Sequence, residues 1–368
     1  MPADQTLKRK LTYFIGVDVS RNKLDFAVRN KEGILFHKEV INDNAQISEH
    51  LKELKKLEKF SMRKAIFCME DSGYYVNPLL NALCRNRTNI HLGNPTEIKN
   101  SLGIIRDKSD RLDAIRIANY VYRYHDALRL WEPRRKEINQ LSAFVTVRAR
   151  MLNTIGMIKV PLKDQQGFID RAMHNQVVAC CKNSLAALVN DLNLLEKSIL
   201  KLLHSDPKLK RIYEIICSVP NVGPVTAVQI IICTNEFLKI DCPRKFACYA
   251  GVAPFKRESG IMTGKARGRI SKLANKKMKT LLHICAVGGI RLRGEFRDYY
   301  QRRCAEGKPP LTIINAIRNK IIRRIFSCIK HDRLYLHAAE MQRSQDAPAP
   351  LSGKRTKFAN RTLGKSLS

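Results

Sequence analysis

Two apolar, strand-like runs far apart in the chain each end on a carboxylate, and this constrains the possible folds more than any other feature. Tyr13-Phe14-Ile15-Gly16-Val17 leads to Asp18, and Ala65-Ile66-Phe67-Cys68-Met69 leads to Glu70. β-Branched and aromatic residues suit a pleated, buried strand. An acid at the end of such a strand is costly if it is desolvated and unpaired. A divalent cation is one partner that compensates it; a turn in which the aspartate caps the strand end is the bland alternative. What surrounds the two acids decides between them.

The order of elements is informative. After Asp18, Lys23-Leu24-Asp25-Phe26-Ala27-Val28 is a second strand, and a turn at Lys31-Glu32-Gly33 leads to a third, Ile34 to Val40. Three strands with short connections make an antiparallel meander. Ile47, Leu51, Leu54 and Leu57 then form a helical stripe. The strand ending on Glu70 follows, then a helix from Tyr74 to Arg85, a strand at Asn89-Ile90-His91-Leu92, and a helix from about Ser109 through Tyr124. The order βββαβαβ plus helix is that of the ribonuclease-H-like fold, an α/β architecture whose first and fourth strands lie side by side. That pairing would bring Asp18 next to Glu70. Asp110 and Asp113 are spaced to share one helix face.

Four carboxylates converging on one cleft suit phosphodiester chemistry, in which two magnesium ions activate an attacking oxygen and stabilise a leaving one. Mg²⁺ asks for such hard oxygen ligands. An N-cap aspartate with surface acids behind it is the ordinary reading of any Asp-x-x-Asp; the two acid-ended strands ahead of it favour the site. Asp25, Asp71 and Asp107 are the nearby decoys.

Charge identifies the partner. Across 368 residues, Lys and Arg number 67 against 33 Asp and Glu, a net charge of +34. The obvious polyanion is nucleic acid. A membrane is the rival, but no apolar run approaches the ~18 residues of a span. The basic Lys8-Arg9-Lys10 ahead of Leu11 lacks the uninterrupted apolar stretch and cleavage site of a signal peptide. A cytoplasmic protein is expected. Eleven cysteines, none in Cys-x-x-Cys, read as free thiols in a reducing compartment.

The composition divides the chain at about 11–130, 131–206, 207–335 and 336–368. Trp131-Glu132-Pro133 marks the first boundary. In the second stretch Ile138, Leu141, Val145, Leu152 and Ile155 fall at three–four spacing, with Arg148 in the missing seam position and Pro161 as the stop. Leu185, Leu188, Leu192, Leu195, Ile199 and Leu202 repeat the pattern. Two such helices pack as a hairpin or coiled coil, either a dimerisation arm or part of a bundle within the monomer.

The third stretch is mainly helical. Pro220-Asn221-Val222-Gly223-Pro224 resembles the turn of a helix-hairpin-helix motif, whose amides can meet phosphate; an ordinary inter-helix turn is the alternative. Eleven Lys or Arg and one acid, Glu258, lie between Phe255 and Arg293. Lys256, Arg257, Lys265, Arg267 and Arg269 sit in a glycine-rich loop, and Lys272, Lys276 and Lys277 on a helix resuming near Ser271, a run suited to nucleic-acid phosphates. Ser259 stands in that loop, a hydroxyl that becomes a nucleophile only if activated. A later helix, Ile313–Ile329, places Arg318, Lys320, Arg323 and Arg324 on its polar side. The tail has the composition of a disordered segment.

Together these pieces resemble the DEDD transposases of insertion-sequence family 110, known as bridge-RNA-guided serine recombinases. Ile15-Gly16-Val17-Asp18, Met69-Glu70 before Gly73-Tyr74, Lys108-Ser109-Asp110-Arg111-Leu112-Asp113-Ala114, and Ser259-Gly260 before Gly268-Arg269-Ile270-Ser271-Lys272 carry the likeness. The resemblance implies an N-terminal RuvC-like domain, a coiled-coil hairpin and a helical C-terminal transposase domain. It implies that Asp18, Glu70, Asp110 and Asp113 hold Mg²⁺, and that Ser259 forms a transient phosphoserine link to DNA. It further implies double-stranded donor and target DNA as partners, a structured guide RNA, and a dimer or tetramer in which one subunit's tetrad meets another's serine. Asn221 stands where such hairpins often have glycine, and Glu258 where a small or hydroxyl residue is more usual. The residues by themselves leave two alternatives: a RuvC-like metal nuclease that uses water without a covalent step, and a non-catalytic nucleic-acid-binding protein.

Overall fold

The computed structural model describes residues 11–71, 73–101, 109–255, 270–271 and 273–336. The chain forms two compact units, residues 1–133 and 134–368.

The first unit is built on a five-stranded sheet: β1 (Tyr13–Val19), β2 (Lys23–Arg29), β3 (Ile34–Ile41), β4 (Ala65–Glu70) and β5 (Asn89–Gly93), in the spatial order β3-β2-β1-β4-β5. β1, β2 and β3 form the expected antiparallel meander, while β4 runs parallel to both β1 and β5. The first and fourth strands are neighbours, as the ribonuclease-H-like order requires. β1 and β4 are apolar on both faces because both faces are covered. One face carries Ile15, Val17, Phe26, Phe67 and Met69 against α1 (Asn44–Leu54) and α2 (Asn77–Arg85). On the other, Phe14, Ile66 and Cys68 meet Ile117, Tyr120 and Val121 of the helix Asp110–Tyr124. Asp43 starts α1 by accepting a hydrogen bond from the Gln46 amide at 2.7 Å, the usual N-cap arrangement. A short helix α3 (Pro95–Asn100), capped by Asn94, precedes the helix Asp110–Tyr124, here α4. The sequence reading had no helix at α3.

How closely α4 lies on the sheet is set by Gly16. A Cβ at that position would sit 2.2 Å from Ala118 N and 2.3 Å from Ala114 O, distances no side chain can occupy. Ala27, Ala114 and Ala118 complete this small-residue contact, so β1 and α4 touch backbone to backbone.

The second unit is helical. α5 (Lys136–Asp164) and α6 (Arg171–Ser205) form a long hairpin. Arg148 bonds Glu196 at 2.7 Å, and nearer the tip His174 meets the Leu162 carbonyl at 2.8 Å, which fixes an antiparallel arrangement. Pro161 does not stop α5; it lies inside the last turn, and the helix continues to Asp164. The proline removes the one amide bond that would have gone back to the Met157 carbonyl, without ending the helix. Ile138, Leu141, Ile199 and Leu203 root the hairpin in a core shared with α7 (Pro207–Ser218), α8 (Pro224–Thr234), α9 (Pro243–Tyr249), α10 (Lys276–Arg291), α11 (Glu295–Ala305) and α12 (Pro310–Lys330). α10 begins at Lys276, capped by Asn275, later than the Ser271 expected from sequence. Asn221, between α7 and α8, takes the left-handed backbone (φ 66°) that asparagine tolerates. Arg318 is a correction: it is only 8% exposed, on the packed face of α12 rather than its polar side. The eleven cysteines are free. Among the described residues no helix is long and apolar enough to cross a membrane.

Candidate functional site

The site is assembled by strand register and by the start of one helix. Val17 pairs with Met69 across the parallel ladder, so the next residue on each strand, Asp18 and Glu70, come side by side. Asp18 also stands opposite Asp25 on β2, and Asp25 opposite Glu39 on β3; partners across a ladder share a face. That face is the one α4 covers. Ser109 caps α4 by accepting from the Leu112 amide at 3.2 Å, which leaves Asp110 and Asp113 in the first turn, where the helix dipole favours acids.

The electrostatics follow from the proximity of these groups. The Asp18 carboxyl is pushed up from 3.8 to about 6, first by burial, then by the charges of Asp110, Asp113, Asp25 and Glu70. Burial also raises the Glu70 carboxyl, with Asp113 adding to it. Asp18 and Glu70 thus feel both burial and like charges nearby, each of which disfavours the ionised form. The Lys23 ammonium sits among them, 2.9 Å from Asp110, 3.0 Å from Glu39 and 3.3 Å from Asp25. Its hydrogen bond to Asp110, and then that to Glu39, hold it well above the usual lysine range. Asp25 is buried and also meets His37 Nε2 at 2.8 Å. Asp113 is held by Arg116, one turn on, at 2.7 Å. Among the described residues no three Asp, Glu, His or Cys side chains stand ready-made as a metal cage; Lys23 and Arg116 bring positive charge to the acids.

The fold thus brings Asp18, Glu70, Asp110 and Asp113 together where the neighbouring strands β1 and β4 end. Asp71 is exposed and bonds only locally, to the Gly73 amide. Asp25, a decoy by sequence, lies at the heart of the cluster, and Lys23, Glu39 and His37 were missed. Their signal was available: a turn at Ser20–Lys23 fixes the β1–β2 register and hence sets Asp25 opposite Asp18. Ser259, Lys256, Arg257, Lys265, Arg267, Arg269, Lys272 and Asp107 lie outside the described residues, as does the tail beyond residue 336. Lys276 and Lys277 are exposed in the first turn of α10.

Residues 15–163 match a family model for IS110-type DEDD transposases, described as "Transposase", and residues 213–301 match the "Transposase IS116/IS110/IS902 family". The pilin gene-inverting protein of Moraxella bovis is 22% identical over 326 residues, covering 87% of this chain and 96% of that protein. An uncharacterized 44.8 kDa protein of insertion element IS116 from Streptomyces clavuligerus is 25% identical over 125 residues, 34% of this chain and 31% of that one. Among solved structures, Thermus thermophilus RuvC aligns with 33% of this chain and all of its own, at 13% identity and a TM-score of 0.27.

Proposed function

The chain belongs to the IS110-type DEDD transposases, and from that membership we propose that it exchanges DNA strands through a phosphoserine intermediate at Ser259, with Asp18, Glu70, Asp110 and Asp113 as the metal-binding tetrad. The observation that carries this reading is the carboxylate cluster: acids from β1, β4 and α4 meet at the ends of two neighbouring strands, where burial and the nearby acids raise the Asp18 and Glu70 carboxyls. The Moraxella relative is named for inverting a pilin gene, and inverting a DNA segment requires strands to be cut and rejoined.

The donor set suits a divalent cation: all four are hard oxygen donors, and the Lys23 ammonium already bonds one of them, Asp110, together with Asp25 and Glu39. Bound there, Mg²⁺ would supply the positive charge that a phosphodiester needs as it becomes more negative. The chain's own residues do the rest. Asp25 and Glu39 hold Lys23; Gly16 lets α4 deliver Asp110 and Asp113. The Ser259 oxygen attacks a backbone phosphorus, forming an Oγ–P bond as a P–O bond to deoxyribose breaks. The serine proton leaves, and the released sugar oxygen takes one up. Reversal by a different strand end reseals the DNA, so no outside energy is consumed. Lys265, Arg267 and Arg269 hold the attacked phosphate. The partners are donor and target duplexes, a structured noncoding RNA that selects them by pairing, and further copies of the chain, one copy's serine serving another's tetrad. The site of action is the cytoplasm.

Ser259→Ala tests the reading. On element-end DNA the native chain should leave a protein–DNA adduct on a denaturing gel, while Ser259→Ala binds DNA and leaves none. A second reading draws on the fact that the whole carboxylate cluster lies within residues 1–133: a RuvC-like nuclease that uses water. It predicts free cut ends, no adduct, and full cleavage by Ser259→Ala.

A further inference from the structure

Arg318 is the one arginine among the described residues that is almost wholly buried, at 8% exposed. Its guanidinium donates to His283 Nδ1 on α10 and, at 3.4 Å, to Asn315 Oδ1 one turn back on α12. Its Nε has no partner. No carboxylate among the described residues pairs with it, and neither α10 nor α12 contains a single Asp or Glu. Other arginines of this unit are treated differently. Arg135 meets Asp206 and Glu236, Arg148 meets Glu196, Arg211 meets Asp332 and Arg324 meets Glu295. The most buried arginine among the described residues thus has no counter-charge, an arrangement that is costly unless an anion arrives.

The neighbours suit an anion. Burial and the charges of Arg318 and Lys279 hold the His283 imidazole below its usual range. The neutral ring accepts from the guanidinium at Nδ1 and keeps its proton on Nε2, so it orients Arg318 without cancelling its charge. The place is also suggestive. Asn315 Nδ2 holds the Val252 carbonyl at 2.8 Å, and a Cβ at Gly251 would lie 3.2 Å from Ile270 and 3.7 Å from Lys279. The described chain on both sides of the Ser259 segment is therefore anchored beside this seam.

We infer that the seam between α10 and α12 is a phosphate site, in which Arg318, oriented by His283 and Asn315 and flanked by Lys279, takes a backbone phosphate of the DNA being cut. This rests on the DNA-exchange reading for the identity of its ligand, and on the unpaired guanidinium for its existence.

The test uses Arg318→Met, which keeps bulk and removes charge, in the full chain. Without added anion the variant should melt at or above the native temperature, because an uncompensated charge has gone. Inorganic phosphate should raise the native melting temperature and leave the variant's unchanged, and Arg318→Lys should recover part of that response. Affinity for element-end DNA should fall roughly tenfold, with the log–log salt slope reduced by about 1. A variant that melts lower and keeps the full phosphate response would overturn the site, since Arg318 would then be a packing residue. So would a phosphate response that is absent from the native chain and appears in Glu258→Gln, because Glu258 would be the missing counter-charge. An affinity loss confined to RNA duplexes would overturn the assignment to DNA. Ser259→Ala should keep the phosphate response, so loss of the covalent step and loss of this site give different results.

Discussion

Asp18 is the residue on which the acids converge, and its titration has a definite sign. Its carboxyl binds a proton more tightly in the folded chain, near pH 6, than at its ordinary 3.8. Between those values the folded chain holds more protons than the unfolded one, so stability falls as pH rises through that window. Above about pH 6 the metal-free protein carries the full penalty. Asp18→Asn removes it. In chelator at pH 7 the variant should be more stable than the native chain by about 1–2 kcal/mol, a figure reduced from the full shift because the group is only half-buried. Near pH 3.5 the two should melt together. Thermal unfolding at both pH values checks this; a variant less stable at pH 7 would mean that Asp18 is held by a favourable partner instead. At this scale the sequence was partly legible. An acid ending an apolar strand stands out, whereas Asp25 and Lys23 look like surface charges until the β1–β2 register places them. Arg318 was misjudged by its charge type, although it lies four residues from both Ile314 and Ile322 on the packed stripe.

At the level of elements, the cluster depends on how α4 crosses the sheet. Apolar alternation, the Ser109 cap and the turn signals were enough to find the strands and α4, because those features are local. The crossing is not local: it is set by the contact of Gly16 with the backbone at Ala114 and Ala118, which no spacing rule reveals. Gly16→Val should lift α4 off β1 and carry Asp110 and Asp113 away from Asp18. Overpacking of this kind costs about 1–3 kcal/mol, more where backbone must move. Strand exchange should be lost even at a temperature where circular dichroism shows the variant folded. Unchanged activity in a folded Gly16→Val protein would mean that the register of α4 is irrelevant to the chemistry. The hairpin of α5 and α6 shows the limit of periodicity from the other side. Its seam was legible, but Met157, Val160, Phe168 and Met173 near its tip are exposed, and a repeat does not name the partner that would cover them.

For the whole molecule, the charge of +34 and the mixed sheet belong to one account: so basic a chain suits a polyanionic partner, and the acids where β1 and β4 end are a local exception to that charge. Net charge was the easiest property to read and says least about mechanism; the tetrad was harder to read and says most. The metal-binding role proposed for Asp18, Glu70, Asp110 and Asp113 can be tested apart from any DNA reaction by titrating the full-length protein with Mn²⁺ and following bound ion by electron paramagnetic resonance. The account predicts saturable Mn²⁺ binding that Mg²⁺ displaces. Asp18→Asn, Glu70→Gln, Asp110→Asn and Asp113→Asn should each weaken it by more than the about tenfold typical of an outer-shell loss, and the exposed control Asp71→Asn should not. Mn²⁺ binding that is absent from the native chain, or that survives all four substitutions, would contradict it.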